Sequence, residues 1–160
     1  MKTFKKYLDF LMLPIIILFT VLVLITMLGA GFVVRANVPG VSVSSSASLY
    51  DILTGDGDNA ATITGFVFVI LALVLAVALF VAKLLKVKCK YLNYLNFVGT
   101  LFLLISGVTF FLTIAQINQD ILAIIQQGSK VSLGAGSILC AIFSIIGSGL
   151  FAFNGFINNK

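Results

Sequence analysis

Few residues in this chain have side chains that do chemistry, and their spacing scatters them. There is no His and no Glu, which removes the commonest general base and metal ligand and half of the carboxylate repertoire. One cluster has ligand-like spacing: Asp56-Gly57-Asp58-Asn59 places two carboxylates two apart in a Gly-bearing loop, like the opening of a calcium-binding loop. That ladder stops at Ala60 and no Glu follows, so the segment reads as a solvated turn. Cys89 lies in a basic stretch and Cys140 within a long apolar run, too far apart in environment to pair. Cys140 reads as a small packing residue and Cys89 as an inert juxtamembrane thiol, with lipid attachment there the lesser alternative. No phosphate-binding Gly-Lys motif, paired-His metal motif or nucleophile elbow is present. The expectation is a protein that is not an enzyme and takes no cofactor or metal.

The surrounding sequence explains this scarcity. Of 160 residues, 61% are hydrophobic and 9% charged, and the mean hydropathy is +1.21. A water-soluble domain needs far more charge to cover its surface. Four uncharged runs stand out: Phe10 to Val34 (25 residues), Asn59 to Ala82 (24), Tyr91 to Gln119 (29) and Val131 to Asn159 (29). About 20 apolar residues in a helix cross about 30 Å of hydrocarbon, and none of the runs shows the alternation of a membrane β-strand. The expected fold is therefore an all-α membrane protein, a single four-helix transmembrane bundle over residues 1–160. Its spans fall at about 10–34, 62–82, 94–116 and 133–153.

The basic residues orient it. Lys2, Lys5 and Lys6 precede the first span, Lys83, Lys86, Lys88 and Lys90 fill the loop between the second and third, and Lys160 ends the chain. Only Arg35 and Lys130 fall on the other side, together with Asp51, Asp56, Asp58 and Asp120. The positive-inside rule then makes both termini cytoplasmic in a multi-pass protein of the cell membrane. The net charge of +5 is thus an orientation signal rather than a sign of nucleic acid, and the lipid bilayer is the first partner. Lys83, Lys86, Lys88 and Lys90 are candidates for anionic lipid headgroups, at about 1 kcal/mol each near the surface, although fixing the topology accounts for them equally. Tyr7, Tyr91 and Tyr94 mark the inner interface. "KTFKK", an apolar stretch and "VRA" before Asn37 have the grammar of a secretory signal, but an uncharged core of 25 residues exceeds the usual length of about 7–15. The segment is read as a retained span.

Along the chain, Pro14 sits near the start of span one, tolerated in a first turn and kinking if the helix begins near Phe4. In the first outer loop Pro39-Gly40 signals a turn, and Val41, Val43, Ala47 and Leu49 alternate with serines. That pattern fits a short strand or β-hairpin over the outer mouth of the bundle, and equally a flexible Ser-rich linker. In span three, Ile117, Ile121, Ile124 and Ile125 keep helical spacing up to Gly128, a plausible C-cap. The helix then extends outward past the membrane to 127, or breaks near Asn118 into a helix lying on the surface.

Span four is rich in small residues: 12 of the 22 from Ser132 to Phe153 are Gly, Ala, Ser or Cys. Small side chains let membrane helices approach closely, because lipid is as apolar as Leu and greasiness alone brings no helices together. Ser132, Gly136, Cys140, Ser144, Ser148 and Ala152 recur every fourth residue, a row that winds about 200° around the helix and so faces more than one partner. With Gly65, Ala72 and Ala76 on span two and Gly99, Ser106 and Thr113 on span three, close packing among spans two, three and four is expected. The helix-packing candidates are thus Gly65, Ala72, Ala76, Gly99, Ser106, Thr113, Gly136, Cys140, Ser144 and Ser148.

"SLYDILTGDGD" before span two and "VSLGAGSILCAIFSIIG" opening span four resemble small four-span membrane proteins of low-GC Gram-positive bacteria. The resemblance implies a four-span fold and no particular activity. The layout is also similar to the claudin arrangement, with a longer first outer loop, an extended third helix and a small-residue fourth helix. With no Trp and no Cys pair in the first loop, no junction-forming role carries over. The expected function is a non-catalytic interaction, accessory or structural component that engages a membrane-protein partner or like copies. The alternative is a small transporter or oligomeric pore whose polar path runs over Thr109, Thr113, Gln116, Ser144 and Ser148. Lipid binding between the helices is a third.

Overall fold

The computed structural model describes residues 2–38, 41–55, 59–86, 91–122 and 129–158. The chain is mostly helical, in the order α1 (Lys2–Thr26), β1 (Ala30–Val38), β2 (Val41–Ser48), α2 (Leu49–Thr54), α3 (Ala60–Leu84), α4 (Leu92–Leu122), β3 (Ser129–Leu133) and α5 (Ala135–Asn158). Among the described residues three helical stretches are long and apolar enough to cross a membrane: Ala60–Leu84, Leu92–Thr113 and Ala135–Ile157. The apolar part of α1, Phe10–Thr26, is shorter.

The long helices form a ring. α1 packs against α3 and α5, and α4 packs against the same two. α1 and α4 therefore face each other across one diagonal, and α3 and α5 across the other. The expected mutual packing of the second, third and fourth long helices is corrected by this: α4 meets both neighbours, but α3 and α5 do not form a common interface. The reason lies in α1, whose buried Met12, Leu13, Ile16, Thr20, Val23 and Met27 form a stripe that fills the gap between them.

The first helix is also shorter at its far end than the uncharged run suggests. It stops at Thr26, and residues 30–34 belong to β1, not to a span reaching 34. Gly29 and Gly31 flank the exit and disfavour helix, while Phe32, Val33 and Val34 suit a strand. Pro14 lies inside the helix, not in its first turn. The last helix likewise begins at Ala135, with Leu133 in β3.

An all-α description is accordingly too narrow. β1 is the centre of a three-stranded antiparallel sheet in the order β2-β1-β3. β1 pairs with β2 from Ala30↔Ser48 to Val38↔Val41, with an irregularity between Ala30 and Phe32, and with β3 from Phe32↔Leu133 to Ala36↔Ser129. The Pro39-Gly40 turn signal lies outside the described residues. The sheet meets the bundle through β1 on α5 and β3 on α4, and it is the short α2 that reaches α3.

Local chemistry sets the joints. Ser48 and Asp51 form a reciprocal capping box that starts α2: Asp51 N–H donates to Ser48 Oγ and Ser48 N–H to Asp51 Oδ2, both at 3.0 Å. Asn59 caps α3, its Oδ1 accepting from the Thr62 backbone N–H and hydroxyl, each at 2.9 Å. Lys86 ends α3 in the left-handed conformation, φ 52°, a position where Gly is usual. α4 runs unbroken through Asn118 to Leu122. At about 1.5 Å per residue its 31 residues measure about 46 Å, more than the hydrocarbon thickness of about 30 Å. Residues 123–128, including the expected cap Gly128, lie outside the described residues.

Candidate functional site

Polarity in the bundle is inverted relative to a soluble protein. Large apolar side chains are exposed on every long helix, among them Leu18, Ile25, Val74, Leu101, Leu112 and Ile145. The interior instead buries Thr20, Thr62, Asn96, Ser106, Thr113, Ser137, Ser144, Ser148 and Asn154. An apolar exterior and a hydroxyl- and amide-bearing interior suit a bundle surrounded by lipid.

These polar groups are arranged in layers. One row of buried residues on α4 advances in steps of three and four: Asn96, Gly99, Leu103, Ser106, Phe110 and Thr113. α5 presents Ser137, Cys140, Ser144, Gly147, Phe151 and Asn154, and α3 presents Thr62, Gly65, Val69, Ala72, Ala76 and Leu79, with the same steps. This is the coiled-coil spacing that keeps one seam facing the partner. The antiparallel register between α4 and α5 is pinned at several levels. Asn154 Nδ2 donates to Asn96 Oδ1 at 2.8 Å. A Cβ on Gly99 would lie 2.7 Å from the Phe151 ring, and one on Gly147 would lie 2.8 Å from Leu103 Cδ1. Between α3 and α4, Gly65 faces the Phe110 ring and the Thr62 hydroxyl lies 3.3 Å from that of Thr113. Each large side chain thus crosses a residue with little or no side chain.

All ten helix-packing candidates are buried, but not along one row. Gly136 abuts Gly29 and Ala30, so it serves the entrance to β1. Cys140 Sγ lies 3.2 Å from the Thr26 hydroxyl and donates to the Val23 carbonyl at 3.4 Å, tying α5 to α1. Ser144 belongs to the α4 seam. Ser132, the first member of the four-residue row, is exposed in β3, and Ala152 is half-buried. The row divides between two neighbours because an α-helical step of four residues turns past a full circle.

The sheet is bolted to α5 at a single carbonyl. Gly31 O accepts from the Ser137 hydroxyl at 2.6 Å and from Gly134 N–H at 2.9 Å. A Cβ at Gly134 would strike the Ala30 carbonyl, so only Gly fits that corner. On the other side, Tyr50 N–H donates to the Met27 carbonyl at 3.2 Å and Leu49 is fully buried beside Val23 and Met27. On β2, by contrast, Ser44, Ser45 and Ser46 are exposed, as is Arg35 on β1, which is registered between Ser44 and Lys130.

Of the residues considered for a polar path, Thr113, Ser144 and Ser148 are buried and Thr109 is half-buried. Thr109 Oγ1 donates to the Ser106 carbonyl at 2.8 Å and Thr113 Oγ1 to the Thr109 carbonyl at 3.2 Å. Gln116 lies within α4, its side chain outside the described set. Leu103, Phe110 and Phe151 are fully buried among these hydroxyls and fill the interior. Of the headgroup candidates, Lys83 is half-buried and Lys86 exposed at the end of α3, near exposed Tyr91 and Tyr94 in sequence. Lys88 and Lys90 lie outside the described residues, as do Cys89, Asp56 and Asp58. No group of three His, Cys, Asp or Glu that could hold a metal occurs among the described residues, and Asn59 Oδ1 is engaged as the cap of α3.

The residues that sequence reasoning missed are Asn96 and Asn154, together with Thr20, Thr62 and Ser137. Their signal was available: each falls on the three-and-four alternation of its helix. The sequence matches no protein-family model and no curated protein.

Proposed function

We propose that this protein is a non-catalytic four-span membrane component that holds a small β-sheet at one membrane face for a membrane-protein partner or a like copy. In this reading α1 crosses with the other three long helices, both termini are cytoplasmic, and the sheet and α2 lie outside the cell. Support for a fourth crossing comes from α1 itself, whose apolar part packs along both α3 and α5. The charge distribution supports the orientation, with the lysine-rich loop at the end opposite to the sheet.

The observation that carries the proposal is the contrast at the sheet. Its base is immobilised at Gly31, Gly134 and Leu49, yet β2 is an edge strand with exposed serines and no charge. Natural edge strands are usually blunted by Lys, Pro or a covering element, because an open edge recruits further chain. A photo-crosslinking amino acid at Ser45, activated in intact membranes, tests this. The expected outcome is a discrete adduct with one membrane protein or a second copy; monomer alone after irradiation overturns the reading.

A second reading, transport or an oligomeric pore, draws on the hydroxyls in the interior. Leu103, Phe110 and Phe151 fill that interior and weigh against it. Flux assays in reconstituted liposomes are its test. Lipid binding would place anionic headgroups at Lys83, Lys86, Lys88 and Lys90, where charge attraction and a juxtamembrane position coincide.

A further inference from the structure

Ser106 and Ser144 depart from the other hydroxyls of the bundle. A Ser or Thr in a membrane helix has a ready partner in the carbonyl three or four residues back. Thr20 takes it at Ile16, Thr26 at Leu22 and Val23, Thr100 at Asn96, Thr109 at Ser106 and Thr113 at Thr109. Among the described residues Ser106 Oγ and Ser144 Oγ find no partner, and both residues are fully buried. A hydroxyl stripped of water and left unpaired forfeits its whole solvation, and in lipid it has nowhere else to turn.

The two also share a layer. The register fixed by Asn96 with Asn154, Gly99 with Phe151 and Leu103 with Gly147 brings Ser106 level with Ser144 on the next step. Beside them the Gly107 backbone packs closely on α5: a Cβ there would lie 3.1 Å from Ile145 Cγ1, 3.3 Å from the Ala141 carbonyl oxygen and 3.4 Å from Ser144 Cβ. One buried hydroxyl from each helix thus stands in this layer. Two neutral hydroxyls are too few oxygens for a metal cation. They match a water molecule, which needs about two to four polar partners.

We propose that Ser106 and Ser144 hold one internal water between them in the central layer of the α4–α5 seam. Along α4 the site lies at mid-length, between Asn96, which bonds Asn154 of α5, and Thr113, which meets Thr62 of α3.

Protein carrying 13C-labelled serine in lipid nanodiscs provides the test, by water-to-protein magnetisation transfer in solid-state NMR with assignment by S106A and S144A. The expected result is early transfer to both serine Cβ atoms, with transfer to Ser144 lost in S106A and transfer to Ser106 lost in S144A. Melting gives a second readout. Each single Ser→Ala variant should lower the midpoint, and the S106A/S144A double variant should lower it by less than the two together. Absence of transfer in the unmodified protein overturns the proposal, even if a variant fails to fold. So does non-additive melting without transfer, the signature of a direct Ser106–Ser144 bond. Additive, neutral or stabilising substitutions equally overturn it, because they mean that each hydroxyl is paired within its own helix or stranded.

Discussion

Phe151 lies directly across the bare backbone of Gly99: a Cβ at position 99 would sit 2.7 Å from Cε1 of a ring that is fully buried. That ring is held among Leu13, Ile16, Ala72, Ala76 and Leu103, so it has no free side to move toward. Gly99→Ala should therefore overpack the layer and cost about 1–3 kcal/mol. Gly149 is the control. Alone among the described glycines it faces open space, where an added Cβ would meet nothing within 4 Å. Gly149→Ala should therefore be neutral or stabilise by up to about 1 kcal/mol through helix propensity. Thermal unfolding in one detergent compares them. Equal midpoints for the two variants would show that the Gly99–Phe151 contact does not limit packing.

The Asn96–Asn154 bond makes a second quantitative case. Asn154 Nδ2 donates to Asn96 Oδ1 at 2.8 Å, and Asn96 Nδ2 in turn donates to the Leu92 carbonyl at 3.2 Å. Both side chains are buried, and interhelical hydrogen bonds in lipid average about 0.6 kcal/mol with a maximum near 1.7. A double-mutant cycle of Asn96→Ala and Asn154→Ala should return a coupling energy of about 0.5–2 kcal/mol. Zero coupling would mean that the amides merely fill space.

Much of this was legible in sequence, and the limits have physical causes. The helical spans at residues 62–82 and 94–116 fall within α3 and α4, because long uncharged runs have few alternatives. Small residues at Gly65, Gly99 and Cys140 marked buried positions. The neighbours they face were not legible, since spacing along one helix does not say which helix stands opposite. Strand β3 was hidden for a related reason. "SKVSL" reads as the polar lip of a span, and its strand character depends on Phe32 to Ala36, about a hundred residues earlier. The end of α1 was obscured because Phe32, Val33 and Val34 are as apolar as the helix before them. The paired Asn residues are larger than the small side chains that mark close helix approach, so that signal did not single them out.

Asp51 sets a pH limit on α2. Its carboxylate is held below the ordinary value, first by the Ser48 hydroxyl and then by the Ser48 backbone N–H. A carboxyl whose folded pKa is depressed adds stability that is fully present above its unfolded pKa, about 3.9. The contribution is lost as pH falls through the folded value. The cap should therefore hold through neutral and mildly acidic conditions and fail only below the usual carboxylate range. Hydrogen exchange across Leu49–Thr54, corrected for the intrinsic pH dependence of exchange, should show protection falling there. Asp51→Asn should remove that pH step, and persistence of the step in the variant would assign it to another group.

Cys140 offers a reporter of the α1–α5 contact. Its thiol is fully buried, with Thr26 Oγ1 at 3.2 Å and the Val23 carbonyl at 3.4 Å. With Cys89 replaced by Ser, a membrane-permeant maleimide should leave the folded protein unlabelled and modify it only as the bundle opens. Thr26→Ala removes the hydroxyl neighbour but leaves the Val23 carbonyl and the surrounding packing. It should lower the unfolding midpoint modestly, by about 0.5–1.5 kcal/mol, and labelling should follow that midpoint. Gly136→Leu is the stronger perturbation. Its side chain would enter the backbone of Gly29 and Ala30, where even a Cβ would come within 2.6 Å of the Gly29 carbonyl oxygen. That variant should label rapidly at temperatures where the unmodified protein is inert. Rapid labelling of the unmodified protein would instead show that α1 separates from α5 in the native state, and that the seam they share is not a closed one.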